Sequence, residues 1–178
     1  MKFVISQSLN CGVIIPDGQS LDIDNFTFLP DSNTNPTAKK IMVTVEADTK
    51  EEAVPMAQKQ FNEFLAKLTL IDNSKYILEG QMSVLDLNTK VTTNTMTVSA
   101  GGFIVKNGNE IKNFYESKIA GKKPRKKPLG LYRDAILSDQ SFERYRNFYR
   151  VLECYFGDTI SITTWIKAKE PRVTMKKK

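Results

Sequence analysis

Ile41-Met42-Val43-Thr44-Val45, then Thr49-Lys50-Glu51-Glu52, then apolar residues at Ala53, Ala57, Phe61, Phe64/Leu65 and Leu68: this stretch decides the fold class. The first five residues are β-branched or long and apolar, and read as a strand. Thr49 to Glu52 form a capping box, in which hydroxyl and carboxylate each satisfy an orphan backbone N–H. The apolar positions that follow recur at helical spacing, so one face of a long helix is apolar. Pro55 lies inside that pattern. Either the helix bends there, or its regular part begins nearer Pro55 than Thr49.

Outward from this point the first two thirds of the chain read as β-rich. Residues 3–5 and 13–15 are short apolar runs, and Pro16-Asp17-Gly18 is a turn in which proline presets φ and glycine accepts φ > 0. Leu21, Ile23, Asn25 and the run from Phe26 to Leu29 continue as strand up to Pro30, and residues 31–38 (DSNTNPTA) read as a polar loop. Strands are predicted at 76–79, 82–87, 91–99 and 103–106. The alternation of Val91, Thr93, Thr95 and Thr97 suits a sheet with one wet face. Ala100-Gly101-Gly102 marks a bulge or bend, and Asn107-Gly108 a hairpin-type turn. The expected class is α+β: an antiparallel-rich sheet packed with one long helix, followed by a C-terminal α-helical hairpin.

The expected division is an α+β domain over 1–117, a basic proline-containing linker over 118–128, a helical hairpin region over 129–166 and a disordered basic tail over 167–178. Gly121-Lys122-Lys123-Pro124-Arg125-Lys126-Lys127-Pro128 supplies the linker, with little to bury. Residues 129–137 form a short helix ending at Ser138-Asp139, which cap a second helix running to about Phe156. Its aromatic stripe is Phe142, Tyr145, Phe148/Tyr149, Leu152 and Tyr155/Phe156, and Gly157 is the C-cap. So short a turn makes the two helices an antiparallel hairpin. Residues 160–166, with Trp165, read as either strand or short helix.

Charge is divided just as unevenly. Residues 118–178 hold 16 Lys+Arg against 6 Asp+Glu, and residues 1–117 hold 10 against 14, within an overall +6. That pattern indicates a folded body carrying a surface for an anionic partner. Hydrophobic content of 40 % with 26 % charged residues suffices for a real core. Cys11 and Cys154 form no CxxC pair, which fits a reducing, cytoplasmic setting and points away from a zinc site. The N-terminal residues read as a mature strand rather than a signal peptide, the Asn25/Thr27 sequon carries no meaning there, and no run is long enough to span a bilayer. With 0 histidines, Ser-His-Asp and Cys-His catalysis, histidine ligands and histidine bases are all excluded. No nucleotide-binding glycine motif is present. No cofactor, metal or catalytic residue is expected.

Two clusters are candidates for binding. Lys122, Lys123, Arg125, Lys126 and Lys127 could neutralise phosphates and release counterions, or serve only as a solvated linker. Arg144, Arg146 and Arg150 interleave with Tyr145 and Tyr149, a pattern that can hold phosphates and stack bases. The reading favoured for the second cluster puts the aromatics in a core and the arginines on a solvated face, with Glu143 pairing Arg146 or Asn147. Tyr145, Tyr149 and Trp165 are alternatively the contact residues for a larger protein partner or for self-association. Asp22 and Asp24, set on one face of a strand, and Glu51 and Glu52 read as structural carboxylates.

The run Leu131-Tyr132-Arg133-Asp134-Ala135-Ile136-Leu137-Ser138-Asp139, with Phe142-Glu143-Arg144-Tyr145 and Tyr149-Arg150-Val151-Leu152-Glu153, resembles the entry into HEPN-type helical domains. It is similar in particular to the Apea-like and methylamine-utilisation-type proteins, and residues 41–68 loosely resemble the α+β region that precedes such domains. The resemblance implies RNA association and a defence or phage-related setting. The family's nuclease motif needs an arginine followed by a histidine, so the resemblance implies a truncated, non-catalytic relative, with a structural role for Glu153. The expectation is therefore a non-enzymatic nucleic-acid-associated protein, RNA rather than DNA. The alternative is a protein-interaction module.

Overall fold

The computed structural model describes residues 1–32, 35–97, 106–121 and 125–169. The chain divides into two compact units, Met1–Lys123 and Pro124–Lys178. The division falls inside the stretch read as a linker.

The first unit is built on an antiparallel sheet. Its strands are β1 (Lys2–Asn10), β2 (Val13–Ile14), β3 (Leu21–Ile23), β4 (Phe26–Ser32), β5 (Asn35–Glu46), β6 (Ile77–Asp86), β7 (Thr92–Thr97) and β8 (Lys106–Asn107). The main path runs β3-β4-β5-β1-β6-β7, with β2 and β8 forming a small parallel pair beside β5. β1 is central: Ile5 faces Val43 on one side and Val84 on the other. Alternation along β1 buries Phe3, Ile5, Gln7 and Leu9, and the buried face continues through Phe26, Phe28, Ile41, Val43 and Val84. A register shift opposite Gln7 and Ser8 forms a bulge in β6, where Gly80 takes φ 65 and so turns the strand at no side-chain cost.

Helix α1 (Lys50–Asp72) covers that face. Thr49 Oγ1 accepts the Glu52 N–H at 3.3 Å, and Glu52 Oε2 accepts the Asp48 N–H at 3.3 Å, so the box closes one residue upstream of the ideal pattern. The helix starts at this cap and runs through Pro55, which settles where its regular part begins. Ala53, Ala57, Phe61, Phe64, Leu65 and Leu68 are all buried, as the spacing predicts. Phe64 stacks on Phe26 with centroids 4.0 Å apart and meets Tyr115 at 5.5 Å.

Local signals misread several segments. Residues 35–38, expected as loop, belong to β5 and pair with β4 in a hairpin that brings Ser32 opposite Asn35. Pairing overrides the breakers here. Pro30 sits at register shifts, and the Pro36 carbonyl accepts the Ile15 N–H at 2.8 Å. Asn107-Gly108 is no hairpin turn: it opens helix α2 (Gly108–Lys118), with Asn107 Oδ1 capping the Asn109 N–H at 2.9 Å. Ile111 and Tyr115, four apart, are its buried anchors. Asp22 and Asp24 do not share a strand face. Asp24 occupies the β3–β4 turn at φ 56 and accepts the Tyr115 hydroxyl at 2.8 Å, while Asp22 accepts Thr27 Oγ1 at 2.6 Å. Both are structural, as are Glu51 and Glu52 at the start of α1. Residues 98–105, including the expected Ala100-Gly101-Gly102 bend, lie outside the described residues.

At the far end of α1, Asp72 Oδ2 accepts the Tyr76 hydroxyl at 2.7 Å and pairs with Lys106 Nζ at 3.2 Å. Lys106 Nζ also donates to the Asp72 carbonyl at 2.7 Å. A carboxylate at a helix C-terminus opposes the helix dipole, and Lys106 offsets that while tying β8 to α1.

The second unit is helical: α3 (Lys126–Leu137), α4 (Ser141–Phe156) and α5 (Thr159–Lys169). Lys126, Lys127 and Pro128, read as linker, form the first turn of α3. Proline is tolerated there because a first-turn N–H has no intrahelical acceptor to lose. α3 and α4 are antiparallel: Arg125 at the start of one reaches the Cys154 carbonyl near the end of the other, and Tyr132 meets Phe148 midway at 5.6 Å. Ser138 ends α3 and accepts the Gln140 N–H, so α4 begins after Gln140 rather than at a Ser138-Asp139 cap. Gly157 closes α4 at φ 80, donating its N–H to the Glu153 carbonyl at 2.9 Å. Residues 160–166 are helix, not strand, and α5 takes in Lys167 to Lys169 from the expected tail. Its Ile162 is buried, and Trp165 packs on Phe156 at 5.4 Å. The hairpin is therefore a three-helix unit.

Candidate nucleic-acid interface

The basic residues singled out in the sequence do not form one cluster. Lys122 and Lys123 lie outside the described residues. Arg125, Lys126, Lys127 and Arg150 come together at the end of the hairpin where α3 begins and α4 finishes. Arg125 donates from Nη1 to the Cys154 carbonyl at 3.3 Å and lies over the Tyr155 ring at 5.6 Å, a cation–π contact. Lys127, Leu131, Arg150, Glu153 and Cys154 line a shallow open groove of about 130 Å³. The groove thus carries two cations, one from each helix, and a single carboxylate.

The start of α3 concentrates positive charge. Lys126 and Lys127 occupy the first turn, where the helix dipole is positive, and no acidic residue accompanies them there. A dipole end of this sign interacts with a nearby anion by about 0.3–1 kcal/mol at low salt.

The remaining arginines are used otherwise. Arg144 Nη2 donates to the Ser138 carbonyl at 2.8 Å, satisfying the last turn of α3 at the opposite end of the hairpin. Arg146 pairs with Glu143, three residues before it on α4, as the sequence suggested. Arg133 is largely inside the unit, and burial pushes its guanidinium below the ordinary arginine value.

The placement of the aromatics corrects the favoured reading. No residue of α4 is fully buried, and Phe142 and Tyr145 are 73 % and 66 % exposed. Tyr155 is also exposed. The stripe is therefore not a core face along its whole length. α3 packs against the flank that includes Phe148, α5 meets Tyr149 and Phe156, and the stripe's first turn is left in solvent. Of the three aromatics expected at a partner surface, Tyr145 is open. Tyr149 donates its hydroxyl to Thr159 Oγ1 at 3.0 Å, and Trp165 leans on Phe156. Sequence reasoning missed Tyr155 as the ring beneath Arg125 and Phe142 as an exposed ring, because helical spacing assigns both to the same stripe as Phe148.

Among the described residues no group of three or more Cys, Asp or Glu side chains is placed to hold a metal ion, and no helix is long and apolar enough to cross a membrane. Cys11 and Cys154 are free thiols, the first buried and pushed up to about 11 by that burial. The chain matches no family model, and comparison with curated proteins and with solved structures finds no match either.

Proposed function

We propose that this chain is a non-enzymatic nucleic-acid-associated protein that holds phosphates at the basic end of its helical hairpin. The observation carrying this reading is the groove that Lys127 and Arg150 line from two different helices, with Arg125 beside it on Tyr155. The positive end of the α3 dipole, at the same place, favours an anion too. Nothing in the groove is arranged to read base edges, so attraction is to the backbone and independent of sequence. The absence of histidine supports binding without cleavage. The resemblance of residues 131–153 to HEPN-type helices supports RNA over DNA and a defence or phage-related setting. Two free thiols support a reducing, cytoplasmic location.

The test is fluorescence anisotropy with labelled RNA and DNA across a salt series. Binding should weaken steeply with salt. The double variant K127A/R150A should lose affinity and flatten the salt slope by about 0.7 for each single-strand phosphate it no longer neutralises. No binding at low salt, or an unchanged double variant, would refute the reading.

A second reading is favoured by the open first turn of the α4 stripe. Phe142 and Tyr145 suit a protein-interaction module, either an accessory subunit or an inhibitor of a larger partner. Salt-insensitive self-association on a sizing column, lost in F142A/Y145A, would support it.

A further inference from the structure

The exposed rings of α4 say what form of nucleic acid the helical unit accepts. Tyr149 is held in place by the hydrogen bond from its hydroxyl to Thr159 Oγ1 at 3.0 Å. Tyr145 lies on that fixed ring, with centroids 6.2 Å apart and planes 27° from parallel. One ring of the pair is therefore anchored, and the other is 66 % exposed. Phe142, one turn earlier, is 73 % exposed. Arg146 follows Tyr145 directly and stands one turn from both Phe142 and Arg150, so cations alternate with open rings along the same helix.

We infer that the ligand of this surface is a single-stranded nucleic acid, with bases stacked on Tyr145 and Phe142 and phosphates held by Arg146 and Arg150. This rests on the phosphate-binding reading above and adds the strand state to it. A duplex keeps its base faces inside the stack and offers phosphates and groove edges, so open rings gain little from it. A single strand presents unstacked faces, and every base has one, which makes ring stacking tolerant of sequence. The pre-stacked Tyr145 loses little freedom when a base arrives. The Glu143 pair with Arg146 is half-exposed and lies within one helix at i,i+3, so a phosphate competes for the guanidinium from its open side. Charge decides against an apolar protein partner, because burying these rings against a dry surface would also strip water from Arg146 and Arg150.

The experiment uses the full chain and labelled probes of about 15 nucleotides, within reach of a surface this size: oligo-dT, oligo-rU and a blunt duplex of equal length. At low salt the single strands should bind about tenfold or more tighter than the duplex. F142A/Y145A should weaken single-strand binding by about fivefold or more and leave duplex binding and the salt slope unchanged. Y145W, with a larger ring face, should keep or strengthen single-strand binding. Circular dichroism checks that the variants, altered only at exposed positions, remain folded. Equal affinity for single strand and duplex, or an equal loss on both in F142A/Y145A, would overturn the inference while leaving phosphate binding standing. Absence of salt-dependent binding to any probe would overturn both. Self-association in high salt that F142A/Y145A abolishes, with single-strand binding unchanged, would show the rings to be a protein interface and overturn the inference.

Discussion

Replacing Gly108 with alanine sets two effects of known size against each other. Gly108 is the first residue of α2 and is buried. It does not have a positive φ, so alanine fits the backbone; elsewhere in a helix the exchange would gain up to about 1 kcal/mol. A Cβ here, however, would lie 2.5 Å from the Ile14 carbonyl oxygen, 2.5 Å from Leu21 Cδ2 and 3.4 Å from Val13 Cγ1. Ordinary carbon contacts begin at about 3.5 Å. Leu21 could rotate, but it is buried, and the Ile14 backbone is fixed by pairing with both Thr37 and Asn107. Overpacking of this kind costs about 1–3 kcal/mol. The clash wins, and G108A should be destabilised by about 1–2 kcal/mol. Gly130 inside α3 is the control: a Cβ there meets nothing within 4 Å, so G130A should gain about 0.5–1 kcal/mol. Urea denaturation would measure both. Amide exchange along β1 reports on the sheet, and emission from Trp165 reports on the helices. G108A as stable as the parent chain would refute the close approach of α2 to β2 and β3.

Three further outcomes follow from the same geometry. Thr49→Ala removes the N-cap of α1 and should cost about 1 kcal/mol, measured by thermal or urea unfolding, whereas T49S should retain most of the stability. Asp72→Ala leaves the Tyr76 hydroxyl and the Lys106 ammonium without their carboxylate and should cost about 1–3 kcal/mol in urea unfolding, with the mutant more sensitive than Y76F. Alkali should loosen the sheet unit through Cys11. Its thiol is pushed from 9.0 up to about 11 by burial, so the neutral form is the one the fold favours. That contribution is fully present below pH 9 and is lost as pH rises from about 9 to 11, by up to about 2–3 kcal/mol. Tyr76, raised by burial and by Asp72, acts with the same sign at higher pH. Stability measured against pH in C11A should fall less over that window, and an unchanged profile would count against a buried thiol.

The core of the fold was legible because periodicity and capping agreed. The stripe from Ala53 to Leu68 is buried as its spacing requires, and Thr49 caps where the box placed it. What local reading could not see was pairing at a distance. Residues 35–38 contain breakers, yet they lie along a strand already fixed by Ile41 to Glu46, and the ladder carries them with it. Asn107-Gly108 has the composition of a tight turn and of a helix start alike, and only Ile111 and Tyr115 four apart distinguish the two. The candidate surface was partly legible. Lys127 and Arg150 stand far apart in sequence, so their meeting depends on the antiparallel hairpin that short connection predicted. Exposure of Phe142 and Tyr145 was hidden, because spacing fixes which side of a helix a residue takes and cannot say how far a neighbouring helix extends along that side.

The position of β1 also sets the order in which the sheet can be completed. Phe3 is paired on one flank with Val45 and on the other with Asp86. β1 is made before both of its partners, so its second flank stays unpaired until β6 follows, with α1 synthesised between β5 and β6. Partners so distant in sequence make for slow, all-at-once assembly. Until that moment Phe3, Ile5 and Leu9 have no finished sheet to enter, which leaves this strand open to premature association during synthesis.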